Sequence, residues 1–344
     1  MSQTESRLDE AQNPSIPEVS HRISIVVPVY LGEQTLPGLL AEIDPLTRGA
    51  VSPDGVPWVV DEVLLVHDNG PDRSADRIRE LQRRYDYVRP VWLGRNFGQH
   101  AATLAGIASS GGEWIVTLDE DGQHDPAAIG TLLDAALRAS ATLVYASAMA
   151  EPPHGALRNA ASRTAKRLVA AMTGDATTTR YQSYRLILGE LGRSIAAYAN
   201  GGVYLDVALG WGARNTTVAP VLPRAEGREQ SGYSGRKLLS HFWRLVVSTG
   251  TRPLRAVSVL GVVFGAAGIV MAFVFGIERL MGGDLPMGWT SLICVSLLGT
   301  GAILFALGAI SEYLGAAVNM AMGRPPYLIV SDPAAGPLAR RPRG

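Results

Sequence analysis

The sequence predicts an α/β domain on a mostly parallel sheet, followed by a hairpin of two membrane-spanning helices. Three observations predict it. Short β-branched runs alternate with helical segments as far as residue 148. Acidic residues fall just past two of those runs. Two late stretches of about 20 residues carry no charge at all.

The elements follow in order. Ser24–Tyr30 (SIVVPVY) reads as a strand buried on both faces, and Leu36–Ile43 has helical spacing. Glu62–Val66 is a second strand ending at His67-Asp68-Asn69-Gly70, and Ser74–Tyr85 a charged amphipathic helix. Val88–Leu93 is a third strand, Gln99–Ala108 an Ala-rich helix, and Trp114–Leu118 a fourth strand that ends at Asp119. Ala127–Arg138 is a helix and Thr142–Ala148 a fifth strand. Strand–helix alternation implies parallel pairing with right-handed crossovers, and such sheets bind ligands at the carboxyl ends of their strands. Asp68 and Asp119 are therefore expected to face one crevice. VPVYLGE follows the first strand in place of a Gly-rich dinucleotide loop, which argues against a dehydrogenase.

Composition narrows the class. Hydrophobic residues are 47% and charged residues 18% of 344, a folded composition with room for a membrane segment. Zero formal net charge gives no field for nucleic acid. The single cysteine, Cys294, excludes an internal disulfide and a Cys-based zinc site. Residues 1–20 are polar, lack the apolar core of a secretory signal, and read as a flexible lead-in.

The segment LDEDGQHDP carries the chemistry. Asp119, Asp121 and Gln123 at the end of a strand can converge their oxygens on one hard cation, Mg2+ or Mn2+, which keeps positions open for substrate phosphates. His124 is read as a polar neighbour and Asp125 as the N-cap of the next helix.

Val257–Ile277 and Trp289–Ile310 are each long enough to span a bilayer as helices. Two buried core helices are the alternative, but such helices rarely lack charge for so long. Basic residues outside the pair (Arg236, Lys237, Arg244, Arg252 and Arg255 before it; Arg324, Arg340, Arg341 and Arg343 after it) put both ends in the cytoplasm. The expected organisation is a soluble domain over 21–235, an amphipathic interface helix over 236–252, the hairpin within 253–322, and a cytoplasmic tail over 323–344.

The motifs VVPVYLGEQTLPGLL, VHDNGPDRS, RNFGQHAATLAG, TLDEDGQHDP, ALRNAASRTAKRL and QSGYS, in that order and followed by the hairpin, resemble the family 2 glycosyltransferases of GT-A fold (Rossmann-like, mostly parallel). The likeness is to the polyprenyl-phosphate sugar transferases among them, including the aminoarabinose transferase group. It implies an inverting transfer of sugar from a nucleotide sugar, UDP-linked more often than GDP-linked, to a polyprenyl phosphate at a bacterial cell membrane. A homo-oligomer is also implied. By the same resemblance Pro28, Tyr30, Glu33, Asp68 and Asn69 surround the nucleotide, and Arg95 and Gly98 lie near its diphosphate. Arg158 and Ser162, four apart on one helix face, bind the acceptor phosphate, and Arg163 and Arg167 extend that basic strip. Arg224, Ser231 and Tyr233 close over the phosphates.

Three positions depart from the family pattern. Met149 stands where an arginine is expected, Gly232 where a lysine is, and Thr179 where relatives carry an aspartate proposed as catalytic. Loss of that base is tolerable, because a phosphate monoester with a second pKa near ~6 is already anionic at neutral pH. The alternatives are a catalytically impaired membrane scaffold of the same fold, and a membrane glycosyltransferase with another acceptor. A polysaccharide synthase is disfavoured: Gln182 and Arg185 have its Q-x-x-R spacing, but Leu186 follows in place of Trp.

Overall fold

The computed structural model describes residues 20–148, 182–199, 204–222, 224, 288–321 and 325–336, with single positions between 261 and 281. Its centre is a nine-stranded sheet in the order β8-β6-β7-β5-β1-β3-β4-β9, with β2 against β3. The strands are β1 (His21–Val29), β2 (Ala50–Val51), β3 (Pro57–His67), β4 (Val88–Leu93), β5 (Trp114–Thr117), β6 (Leu143–Ala148), β7 (Arg185–Leu188), β8 (Thr216–Val221) and β9 (Ile329–Val330). The helices are α1 (Leu36–Ile43), α2 (Ser74–Arg84), α3 (Gln99–Ser109), α4 (Ile129–Ala139), α5 (Gly189–Tyr198), α6 (Leu205–Gly212) and α7 (Trp289–Ala321).

The period-2 pattern of β1 explains the layers. Ile23, Ile25, Val27 and Val29 pack into one core with Leu36, Leu40 and Ile43 of α1, Ile78 of α2 and Leu132 of α4. Val26 turns the other way, into a second core with Ala105 and Ile107 of α3, Ala196 of α5 and Leu209 of α6. A strand covered on both faces must be apolar at every position, and each such Val, Leu or Ile contributes about 1.5–3 kcal/mol by leaving water.

β1 pairs in parallel with β3 and β5, and β3 in parallel with β4, so the ends of these four strands lie side by side. All five strands read from the sequence are present and run the same way, within a few residues of the expected bounds. Three further strands oppose them: β2 on β3, β7 between β5 and β6, and β9 on β4. Residues 329–330, read from the sequence as part of the tail, join the edge of the sheet as β9.

β7 carries a buried ion pair. Arg185 meets Asp206 of α6, each 3% exposed. Arg185 Nε also donates to Thr117 Oγ1 at 3.0 Å, and Tyr145 Oη donates to Asp206 at 2.9 Å. The arginine is thus a structural brace between β5, β7 and α6.

The expected second span, 289–310, forms the first part of the 33-residue α7. Its described side chains Leu292, Ile303, Phe305 and Leu307 are more than half exposed. Counted over the described residues alone, no helix is long and apolar enough to cross a membrane. The complete sequence of α7 is nevertheless uncharged from Trp289 to Ile310. Only single positions of 257–277 are described, and 236–252 lies outside the described residues.

Removing one partner of a buried pair strands the other charge. Arg185→Met is expected to cost about 3–5 kcal/mol, a drop of roughly 6–20 °C in the thermal midpoint. An unchanged midpoint would show that the pair is not a brace.

Candidate active site

The sheet order sets the loops after β5, β1, β3 and β4 next to one another. Three carboxylates then bind backbone N–H groups across them. Asp68, 3% exposed, accepts from Phe97 at 2.7 Å and Gly98 at 2.8 Å. Glu120 accepts from Tyr30 and Leu31, each at 2.9 Å. Asp72 accepts from Glu33 N–H at 3.1 Å and from the N–H and Oγ of Ser74 at the start of α2. The Oγ of Ser74 in turn accepts from Gly32 N–H at 2.8 Å. Burial raises the pKa of both Asp68 and Glu120, and the paired amides pull each back toward the ionised form.

Two glycines are required by this geometry. A Cβ on Gly70 would lie 1.6 Å from the carbonyl oxygen of Tyr30, so the loops after β1 and β3 touch backbone to backbone. Gly98 has φ +92° with open space around it, so its need is conformational: it starts α3 while turning its N–H to Asp68. Asn69 is also left-handed, φ +51°, and its Nδ2 donates to Leu93 O at 2.5 Å.

The acidic loop divides its labour. Asp119 is held at both oxygens by neutral donors, Gln99 Nε2 at 2.7 Å and Ser183 Oγ at 2.6 Å. Asp121 is exposed, and among the described residues its Oδ1 accepts only the N–H of Gln123, at 3.1 Å. Gln123 is itself exposed. His124 accepts from Asp119 N–H through Nδ1 at 3.1 Å and stacks on Tyr184 at 5.0 Å. Burial holds its pKa below the ordinary value, so it is neutral with the proton on Nε2. Asp125 accepts from Ala127 N–H, as a helix N-cap does, and from Arg224 at 2.8 Å. Arg224 also pairs with Glu42 at 2.6 Å.

Among the described residues no group of three or more His, Cys, Asp or Glu side chains is arranged to hold a metal. The donor chemistry still fits a hard cation. Among the described residues neither Asp119 nor Asp121 has an Arg or Lys within ion-pair distance, Asp119 lies 3.8 Å from the neutral His124, and Asp121 keeps most of its lone pairs free. A cation held there would take its remaining ligands from substrate phosphates and water.

The expected residues are thus brought together in part. Tyr30, Glu33, Asp68, Asn69, Gly98, Asp119 and Asp121 stand on four adjoining loops. Pro28 is buried in β1, and Arg95 is exposed with its guanidinium 4.3 Å from the Phe97 ring. Glu33 accepts from Arg73 N–H at 3.2 Å and Arg77 Nε donates to its carbonyl, so it orders the loop after β3. Arg224 sits against carboxylates rather than in an open basic site. Met149, Arg158, Ser162, Arg163, Arg167, Thr179, Ser231, Gly232 and Tyr233 lie outside the described residues. Sequence reasoning missed Glu120, Gln99 and Ser183. Glu120 was signalled only as a third acid between two others, and Ser183 by nothing local.

An α/β sheet with acidic loops gathered at the carboxyl ends of its parallel strands defines an enzyme class that binds its ligands in that crevice. The sequence pattern of "Glycosyl transferase family 2" matches residues 24–194. The undecaprenyl-phosphate 4-deoxy-4-formamido-L-arabinose transferase of Pseudomonas aeruginosa is 32% identical over 314 residues, 89% of each chain. The transferase of the same name from Pectobacterium carotovorum is 28% identical over 310 residues, 89% of this chain and 92% of that one. Among solved structures, the glucosyl-3-phosphoglycerate synthase of Mycobacterium tuberculosis aligns with TM-score 0.46 and 16% identity, over 67% of this chain and 78% of that one. The chain belongs to glycosyltransferase family 2, and it is a glycosyltransferase.

Two outcomes test the site as built. Glu120→Gln turns an amide donor toward a backbone N–H and should cost about 1–3 kcal/mol, whereas the exposed Asp121→Asn should stay within about 0.5 kcal/mol of wild type. Thermal midpoints of the two variants check this, and equal midpoints would contradict it.

His67 supplies a pH test. Burial, with Arg79 adding to it, holds its pKa below the ordinary 6.5, while Asp72 and Asp332 oppose them. A group kept neutral contributes stability that is present above its unfolded pKa and lost as pH falls through 6.5 toward the folded value. Between pH 7.5 and 5.5 the wild-type midpoint should fall further than that of His67→Gln; parallel falls would contradict the assignment.

Proposed function

We propose that this glycosyltransferase moves a sugar from a nucleotide sugar, UDP-linked, onto the phosphate of a polyprenyl phosphate, with inversion at the anomeric carbon. The observation that carries the reading is the pairing of a fixed and a free carboxylate: Asp119 anchored by Gln99 and Ser183, Asp121 open beside it. The names of the bacterial relatives support the acceptor, since their similarity runs over nine-tenths of both chains.

In this reading Tyr30, Glu33, Asp68 and Asn69 line the base and ribose, with Pro28 beneath them in β1. Arg95 and the Gly98 end of α3 approach the diphosphate, where backbone N–H groups favour anions. Asp121, with Asp119 and Gln123, holds Mg2+ or Mn2+. Bound there, the ion would supply positive charge against the charge developing on the leaving diphosphate. Arg158 and Ser162 bind the acceptor phosphate, and Arg224, Ser231 and Tyr233 close over the site. For Arg224 this requires leaving Asp125 and Glu42. The acceptor oxygen is already anionic, so Thr179 positions the acceptor and abstracts no proton.

The hairpin 257–277 and 289–310 anchors the domain in a bacterial inner membrane with both termini cytoplasmic. That topology rests on the uncharged runs and the flanking arginines. A crevice at the bilayer surface meets a lipid phosphate where it emerges from the headgroups.

The test incubates the full chain in lipid nanodiscs with undecaprenyl phosphate, Mg2+ or Mn2+, and a panel of labelled UDP- and GDP-sugars. Label should enter the lipid phase. Asp121→Ala should reduce transfer by about 10²-fold or more, whereas Thr179→Ala should reduce it by less than about tenfold. Nucleotide binding by wild type with no label transferred to lipid would favour the scaffold reading. Full activity in Asp121→Ala would remove the metal assignment.

A further inference from the structure

The segment that follows α7 returns to the nucleotide side of the crevice. β9 pairs antiparallel with the end of β4, Trp92 opposite Val330 and Leu93 opposite Ile329. Beyond the pair, Gly94 N–H donates to Leu328 O at 2.9 Å. The same peptide unit presents its carbonyl, Leu93 O, to Asn69 Nδ2 at 2.5 Å. One peptide, Leu93–Gly94, is therefore held on one side by the C-terminal segment and holds Asn69 on the other.

Asp332 locks this arrangement. Its carboxylate accepts from Arg79 in a fork, Nε at 2.9 Å and Nη2 at 2.7 Å, and from Ala334 N–H at 2.9 Å. Both side chains are mostly buried, 20% and 24% exposed, so the pair is stronger than a surface bridge. Arg79 lies 4.9 Å over the Trp92 ring, and Trp92 packs 5.3 Å from His67, the residue before Asp68. His67 Nε2 is buried with no hydrogen-bond partner among the described residues, so ring packing fixes that side chain.

Asn69 needs this support. A non-glycine residue at φ +51° is in a sparsely populated, strained conformation. Its side-chain bond to Leu93 O offsets that strain only while the Leu93–Gly94 peptide keeps its orientation. If β9 leaves, the Gly94 N–H loses its partner and that peptide is free to turn.

We infer that the C-terminal segment 327–336 is a working part of the donor site, with Asp332 and Arg79 as positioning residues that hold Asn69 for the nucleotide. This rests on the reading of Asn69 as a nucleotide contact. It gives the segment a second consequence. Only seven residues separate Ala321 of α7 from Ile329 of β9, a reach of roughly 28 Å at full extension. The donor loop is therefore leashed to the end of the helix assigned to the bilayer.

The test is a double-mutant cycle on the full chain in nanodiscs, titrating UDP with Mn2+ by calorimetry. Asp332→Asn should raise the Kd for UDP about three- to tenfold, and Asn69→Ala by a similar factor. The double variant should be no weaker than Asn69→Ala alone, because both changes cut one path. Arg79→Lys keeps the charge but loses the fork and should repeat the Asp332→Asn result, which covers the case that Asp332→Asn folds poorly. Effects that multiply in the double variant, or an unmoved Kd in both Asp332→Asn and Arg79→Lys, would overturn the role of the segment alone. Wild type that binds neither UDP nor GDP would overturn the donor reading and this role with it.

Discussion

The site depends on carboxylates, one buried and two half-buried, that bind backbone N–H groups of neighbouring loops. At the end of a parallel strand the sheet's hydrogen bonding stops, and the loop that follows has amides with no ladder to join. Asp68 takes two such amides from the loop after β4, and Glu120 takes two from the loop after β1. A carboxylate buried as Asp68 is would be costly if unpaired, and the loop amides would lose the partners that fix them. Together they satisfy one another. The result is a set of four loops whose relative positions are fixed before any substrate arrives.

This arrangement separates structural acids from chemical ones. Among the described residues seven carboxylates stand around the crevice, and most are spent on the protein: Glu33, Asp68, Asp72 and Glu120 on backbone, Asp125 on a helix start and Arg224. Asp119 is half committed, with both oxygens accepting neutral donors. Asp121 alone of these acids is open and bound only to its own turn. In the proposed reading such subtraction favours a cation position at the tip of β5, beside the loop from β1.

Much of the fold was legible because β1, β3 and β5 are covered on both faces. Such strands must be continuous apolar runs, which is a strong signal. β7 was not legible: RLIL begins with an arginine, and only the distant Asp206 makes that arginine tolerable inside. β9 is two residues long and is a strand only because β4 offers an edge. Within the site, the D-x-D pattern lies on one of the four adjoining loops, but spacing cannot tell which acid faces outward. Glu120 sits between the two aspartates and turns to Tyr30 and Leu31, a partnership set by the β1–β5 pairing. The pin on Asp119 from Ser183 is set by β7, so it was invisible for the same reason that β7 was.

The free carboxylate of Asp121, backed by the anchored Asp119, is proposed to receive a divalent cation and a nucleotide diphosphate in a crevice already formed. A cryo-EM structure of the full chain in nanodiscs with UDP and Mn2+ tests it most directly. The account predicts density for the ion at coordination distance, about 2.1 Å, from an Asp121 oxygen, with the diphosphate on its far side, the base against the Tyr30 and Asp68–Asn69 loops, and the Glu120 and Asp68 backbone bonds intact. An ion or nucleotide bound away from Asp121, or a crevice that assembles only after those bonds break, would contradict it.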